Sequence, residues 1–92
     1  MFHRGAERSG ADEPRLTLLG RSNCGLCEEM FEQLRVLRTR RELPPLDLVD
    51  VDSDADLGRR FGLKIPVLLL DGVPVCEGRL DVEELERVLR PR

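Results

Sequence analysis

The residues best suited to chemistry are two cysteines spaced as Cys24-Gly25-Leu26-Cys27. At the start of a helix, this spacing puts the two Cα atoms about 5–6 Å apart, within disulfide reach. Such a pair can close and reopen, and the helix gives its two sulfurs different surroundings. With Cys24 as N-cap, its sulfur lies among unpaired N–H groups at the positive end of the helix dipole, which favours a thiolate. Cys27 falls on the apolar face beside Met30 and Phe31. Burial there keeps it a thiol until a mixed disulfide forms on Cys24, which Cys27 then resolves. Arg21 adds positive potential, and Glu28 and Glu29 work against it, so the expected lowering of the Cys24 pKa is moderate.

Other chemistries are weighed against the same residues. A structural reading makes the pair two buried or capping cysteines without reactivity. Zinc needs four ligands, and the single histidine, His3, stands in the N-terminal segment, so no metal site is expected within one chain. A cluster shared by two chains, with two thiolates from each, stays open. Cys76 reads as a small apolar strand residue, with a third redox thiol as the sharper alternative. Asp47, Asp50, Asp52, Asp54 and Asp56 invite a calcium reading. Two of them fall in a strand and two begin a helix, and no EF-hand spacing follows.

The composition bounds the rest. A chain of 92 residues is one domain with a modest core. Hydrophobic residues at 40% and charged residues at 36% suit a folded globular chain. With no Trp or Tyr, only 3 Phe and a net charge of -3, neither base stacking nor a basic field for nucleic acid is expected. No apolar run reaches membrane-spanning length, and residues 1–14 lack the apolar core of a secretory signal. An odd cysteine count is a poor basis for a secreted disulfide framework. A cytoplasmic protein with no membrane partner is the expectation.

The elements that must position the cysteines follow from pattern. Residues 1–14 have no period and read as a flexible N-terminal tail ahead of one domain, 15–92. Leu16–Leu19 reads as a buried strand. Residues 25–41 have helical spacing, with Cys27, Met30, Phe31, Leu34 and Leu37 on one face and basic residues at the end. Pro44-Pro45 stops that helix, and Leu46–Val51 reads as a second strand. Ser53 is the expected cap of a short helix over 54–61, with Gly62 at C′. Val67–Leu70 reads as a central strand and Asp71-Gly72 as a two-residue hairpin turn. The next strand, 73–77, contains Pro74 and belongs at an edge. Asp81 caps the last helix, with Glu84 completing a capping box. The order βαβαββα predicts an α/β fold: a four-stranded mixed sheet with helices on both faces.

With these residues in place, the chain resembles the thioredoxin/glutaredoxin superfamily over about residues 15–90, and most of all its small glutaredoxin-like members. The likeness rests on the CxxC after strand one, on Ile65-Pro66 before strand three, and on the final hairpin and helix. It implies a thioredoxin fold, a cis Pro66 facing the CxxC, and an Ile65 backbone that pairs with a bound peptide or glutathione. It also implies that Arg21, three residues before Cys24, meets a glutathione carboxylate. The sequence departs from the pattern in several places. The motif centre is Gly-Leu, Asn23 stands where thioredoxins carry Trp, and Leu18 stands where they bury an Asp. Cys76-Glu77 replaces the Gly-Gly that shapes the glutathione cleft, and Arg79-Leu80 replaces the acidic pair after it. The implied function is thiol–disulfide oxidoreduction of protein disulfides or glutathione mixed disulfides by a monomer. No tightly bound cofactor is expected, and glutathione is the candidate co-substrate. The alternatives are a peptide-binding module with incidental thiols and an iron–sulfur-bridged dimer.

Overall fold

The computed structural model describes Phe2 and residues 13–90. The first strand, β1 (Leu16–Gly20), leads into helix α1 (Gly25–Arg38), and strand β2 (Leu46–Asp50) follows. A 3-10 turn (Val51–Ser53) and helix α2 (Ala55–Phe61) come next. Strands β3 (Val67–Leu70) and β4 (Val73–Glu77) form the hairpin, and helix α3 (Val82–Leu89) ends the described chain. The sheet order is β2-β1-β3-β4. β2 runs parallel to β1, whereas β3 is antiparallel to both β1 and β4. The expected mixed sheet is therefore present, with β1 and β3 at its centre.

Strand alternation sorts the core into two clusters, one on each face. Leu16 and Leu18 of β1 and Leu68 of β3 meet Cys27, Met30 and Leu34 of α1 and Leu85 of α3. Leu19, Val49, Val67 and Leu69 meet Leu57 and Phe61 of α2. Of the expected tail, Met1 and residues 3–12 lie outside the described residues. Phe2 is described: it is buried in the larger cluster with its ring over Gly20. A Cβ at Gly20 would come within 2.5 Å of that ring, so any side chain there would have to displace Phe2.

Several boundaries differ from the sequence reading. α1 ends three residues before the expected 41, where the Thr39 hydroxyl donates to the Val36 carbonyl oxygen at 2.6 Å. Asp54, not Ser53, caps α2, accepting from the Asp56 N–H at 2.8 Å, because Ser53 is taken up by the 3-10 turn. Gly62 is right-handed at φ -55°, so no left-handed cap is made. A Cβ there would lie 2.5 Å from the Gly58 oxygen, and close approach is what selects glycine. At α3, Asp81 accepts from the Glu84 N–H as expected, at 3.0 Å. The reciprocal half of the capping box is not made, because Glu84 is held by Arg87. The Asp71-Gly72 turn has positive φ at both residues, 50° and 84°, the left-handed pair that a two-residue type I′ hairpin demands.

Candidate redox site

β1 delivers the chain to the sheet end where β3 begins. Leu19 pairs with Val67, so Gly20 and Pro66 are the next residues at that end. Between Gly20 and α1 the chain turns through Asn23, whose φ of 61° is one a short amide side chain tolerates. Cys24 then caps α1 in an extended conformation, φ -108° and ψ 106°. Its sulfur accepts the Cys27 N–H at 3.2 Å, and its carbonyl accepts the Glu28 N–H at 3.0 Å.

Cys24 and Cys27 are joined as a disulfide with Cα atoms 5.2 Å apart. The sulfurs sit in different places, as the helix position predicts. Cys24 is half-buried, whereas Cys27 has 0% exposure within the larger cluster. Leu26, inside the motif, is 55% exposed. Leu18, where thioredoxins bury an Asp, is fully buried in the same apolar cluster as Cys27. Among the described residues no polar or charged residue is buried, so no buried carboxylate serves the Cys27 thiol.

The Ile65–Pro66 peptide bond is cis, and Pro66 is fully buried. Ile65 is half-buried and packs against both clusters. The Pro66 carbonyl oxygen accepts the Gly78 N–H at 2.7 Å, which ties the loop after β4 to this end of the sheet. Cys24, Cys27, Ile65 and Pro66 therefore gather at one end of the fold.

Arg21 is on the same loop, but its guanidinium is forked onto Asp52, with Nε and Nη2 at 2.7 and 3.0 Å from the two carboxylate oxygens. The pair holds the Asp52 carboxyl below the usual carboxylate range, chiefly through that hydrogen bond. Asp52 is the functional neighbour that sequence reading missed. It lies 31 residues from Arg21, and only the approach of the 3-10 turn to the β1–α1 loop brings the two together. The other aspartates also have local partners. Asp47 pairs with Arg15, Asp50 accepts from the Asp52 N–H, and Asp56 pairs with Arg59 and Arg60. No group of three or more His, Cys, Asp or Glu side chains placed to hold a metal ion occurs among the described residues.

Cys76 is half-buried on β4 opposite Leu68. Burial pushes its thiol above the ordinary range; the Asp81 N–H opposes this, and the Asp81 and Glu84 carboxylates add to it. A thiol shifted that way is a poor nucleophile at neutral pH.

The profile of the Glutaredoxin-like domain family (DUF836) matches residues 15–90. The chain belongs to that family. An uncharacterized protein of Mycobacterium tuberculosis is 36% identical over 64 residues, which is 64% of this chain and 65% of that protein. The glutaredoxin-like chain therefore spans somewhat under two thirds of the length of the curated relatives it matches. Its structure is similar to the solution structure of protein Ne2328 from Nitrosomonas europaea, with a TM-score of 0.74 and 27% identity over 89% of this chain and 98% of that one. A mutant thioredoxin from Halobacterium salinarum shares the fold, with a TM-score of 0.57 and 22% identity over 96% of this chain and 85% of that one. The protein is an α/β thioredoxin-like fold carrying a disulfide-bonded cysteine pair. Among the described residues no helix is long and apolar enough to cross a membrane.

Proposed function

We propose that the protein is a dithiol–disulfide oxidoreductase in which Cys24 attacks and Cys27 resolves. The observation that carries this reading is the asymmetry of the pair: Cys24 is half-buried at a helix N-cap, and Cys27 is fully buried in apolar surroundings. In the reduced protein the Cys24 thiolate receives the Cys27 N–H and the field of α1. Because Asp52 offsets Arg21, backbone N–H groups rather than a free cation stabilise the thiolate.

The Cys24 thiolate attacks one sulfur of a substrate disulfide. A Cys24–substrate bond forms, the substrate bond breaks, and one substrate thiolate leaves. Cys27 then gives up its proton and attacks the Cys24 sulfur, closing the protein disulfide and expelling the second substrate thiolate. The substrate gains two electrons and the protein dithiol loses two; two glutathione molecules, which leave as glutathione disulfide, or one protein dithiol must return them. With Leu18 in place of an acid, the Cys27 proton passes to water or to the departing thiolate.

The test is trapping. Cys27→Ser should accumulate a substrate adduct on Cys24 that mass mapping locates, and Cys24→Ser should accumulate none. Partner binding that survives Cys24→Ser with no adduct in either variant would favour a peptide-binding module instead.

A further inference from the structure

A cavity of about 390 Å³ opens between the first turns of α1 and the end of β4 with the loop after it; Met30 and Gln33 form part of its α1 wall, and the cysteines lie outside the lining. Leu26 and Glu29 line it from α1, and Glu77, Gly78 and Arg79 line it from the other side. Its place beside the chemistry is fixed twice. Leu26 stands between the two cysteines, and Gly78 is bonded to the Pro66 carbonyl oxygen at 2.7 Å. No ion pair holds Glu29, Glu77 or Arg79 among the described residues. The cavity wall therefore presents two carboxylates and one guanidinium, a net negative charge. The nearest other cation of the motif loop, Arg21, is matched by Asp52 at 2.7 Å. That pair is solvent-exposed and so is weakly held, yet when it opens the carboxylate still stands beside the guanidinium and cancels its field.

Resting on the dithiol reading above, we propose that this cavity selects polypeptide disulfides bearing a lysine or arginine next to the reacting cysteine, and disfavours glutathione. Glutathione has two carboxylates and one ammonium, so it brings net negative charge to a negative wall. A basic side chain beside a substrate cysteine brings the opposite charge to Glu29 and Glu77. Leu26, which lines the cavity and is 55% exposed, adds apolar surface that a polypeptide can cover. Charge complementarity of this kind acts mainly on encounter, so it must weaken with salt.

The experiment uses the pre-reduced protein in single turnover, so no added reductant is needed. Its oxidation is followed with two disulfide-linked peptides of equal length, differing only in Lys or Glu beside the cysteine. Oxidised glutathione and the neutral bis(2-hydroxyethyl) disulfide complete the set. The Lys peptide should react about tenfold faster than the Glu peptide at low ionic strength, a modest case of electrostatic steering, and the ratio should shrink at high salt. Glu29→Gln with Glu77→Gln should bring the ratio near one. Glu42→Gln with Asp56→Asn removes the same number of charges away from the cavity and should preserve it. Equal peptide rates, or glutathione reacting as fast as the Lys peptide, would overturn the proposal while leaving the dithiol reading intact. Failure of every disulfide, the neutral one included, to oxidise Cys24 and Cys27 would remove both.

Discussion

At the start of α1 the Cys27 N–H donates to the Cys24 sulfur at 3.2 Å; at the start of α3 the Glu84 N–H donates to the Asp81 carboxylate at 3.0 Å. The two caps have nearly the same backbone, with φ and ψ of -108° and 106° at Cys24 and -105° and 94° at Asp81. In both helices the third residue after the cap supplies the donor. The difference lies in what stands at the two positions and what surrounds them. At α3 a carboxylate caps, and Glu84 turns outward to Arg87. At α1 sulfur occupies both positions, the second sulfur is buried, and a cis proline precedes β3 at the same end of the sheet. The two helix starts share a backbone conformation and differ in their side chains and in the cis proline beside α1.

Exchanging the cap residues tests how far this holds. Cys24→Asp keeps a good cap and removes the attacking sulfur. Disulfide exchange should fall to the uncatalysed background, while unfolding under reducing conditions shifts by no more than about 0.5 kcal/mol. Residual exchange in that variant would mean that Cys27 or Cys76 can attack, and would break the division of roles. The mirror experiment is Asp81→Ala. It should cost about 1 kcal/mol in denaturant melts and leave the rate of oxidation by a small neutral disulfide unchanged.

The smallest effect separates the third residues. The Arg87 hydrogen bond holds the Glu84 carboxyl below the ordinary range, so the native protein keeps it ionised to lower pH than the unfolded chain does. The stability it contributes is complete above the unfolded pKa and fades as pH falls through the native value. Glu84→Gln should therefore cost slight stability at neutral pH and none at acid pH, which narrows the difference between the two. An equal loss at all pH values would point to packing instead.

Features that depend on a few adjacent residues were legible in the sequence. Asp71-Gly72 announced its turn because two positive φ values favour those residue types, and Val67–Leu70 announced a central strand because it is apolar on both faces. Cys24 as cap and Cys27 as buried partner followed from one turn of helix. Local competition blurred other points. Ser53 and Asp54 can each cap, and the choice depended on the 3-10 turn that absorbs Ser53. The basic run past Arg38 continued a helical charge pattern beyond the point where Thr39 closes the helix. What was not legible was long-range. No local pattern links Arg21 to Asp52, and the aperiodic N-terminal segment gave no sign that Phe2 would lie over Gly20.

Strand β4 has one more consequence. Its pairing with β3 slips between Leu68 and Leu69, with Cys76 opposite the first and Pro74 opposite the second, so Val75 is a bulged residue. A foreign chain laid along this edge would meet a residue with no amide hydrogen and, beside it, a kink in the ladder. Either defect makes the edge a poor template for further strand growth.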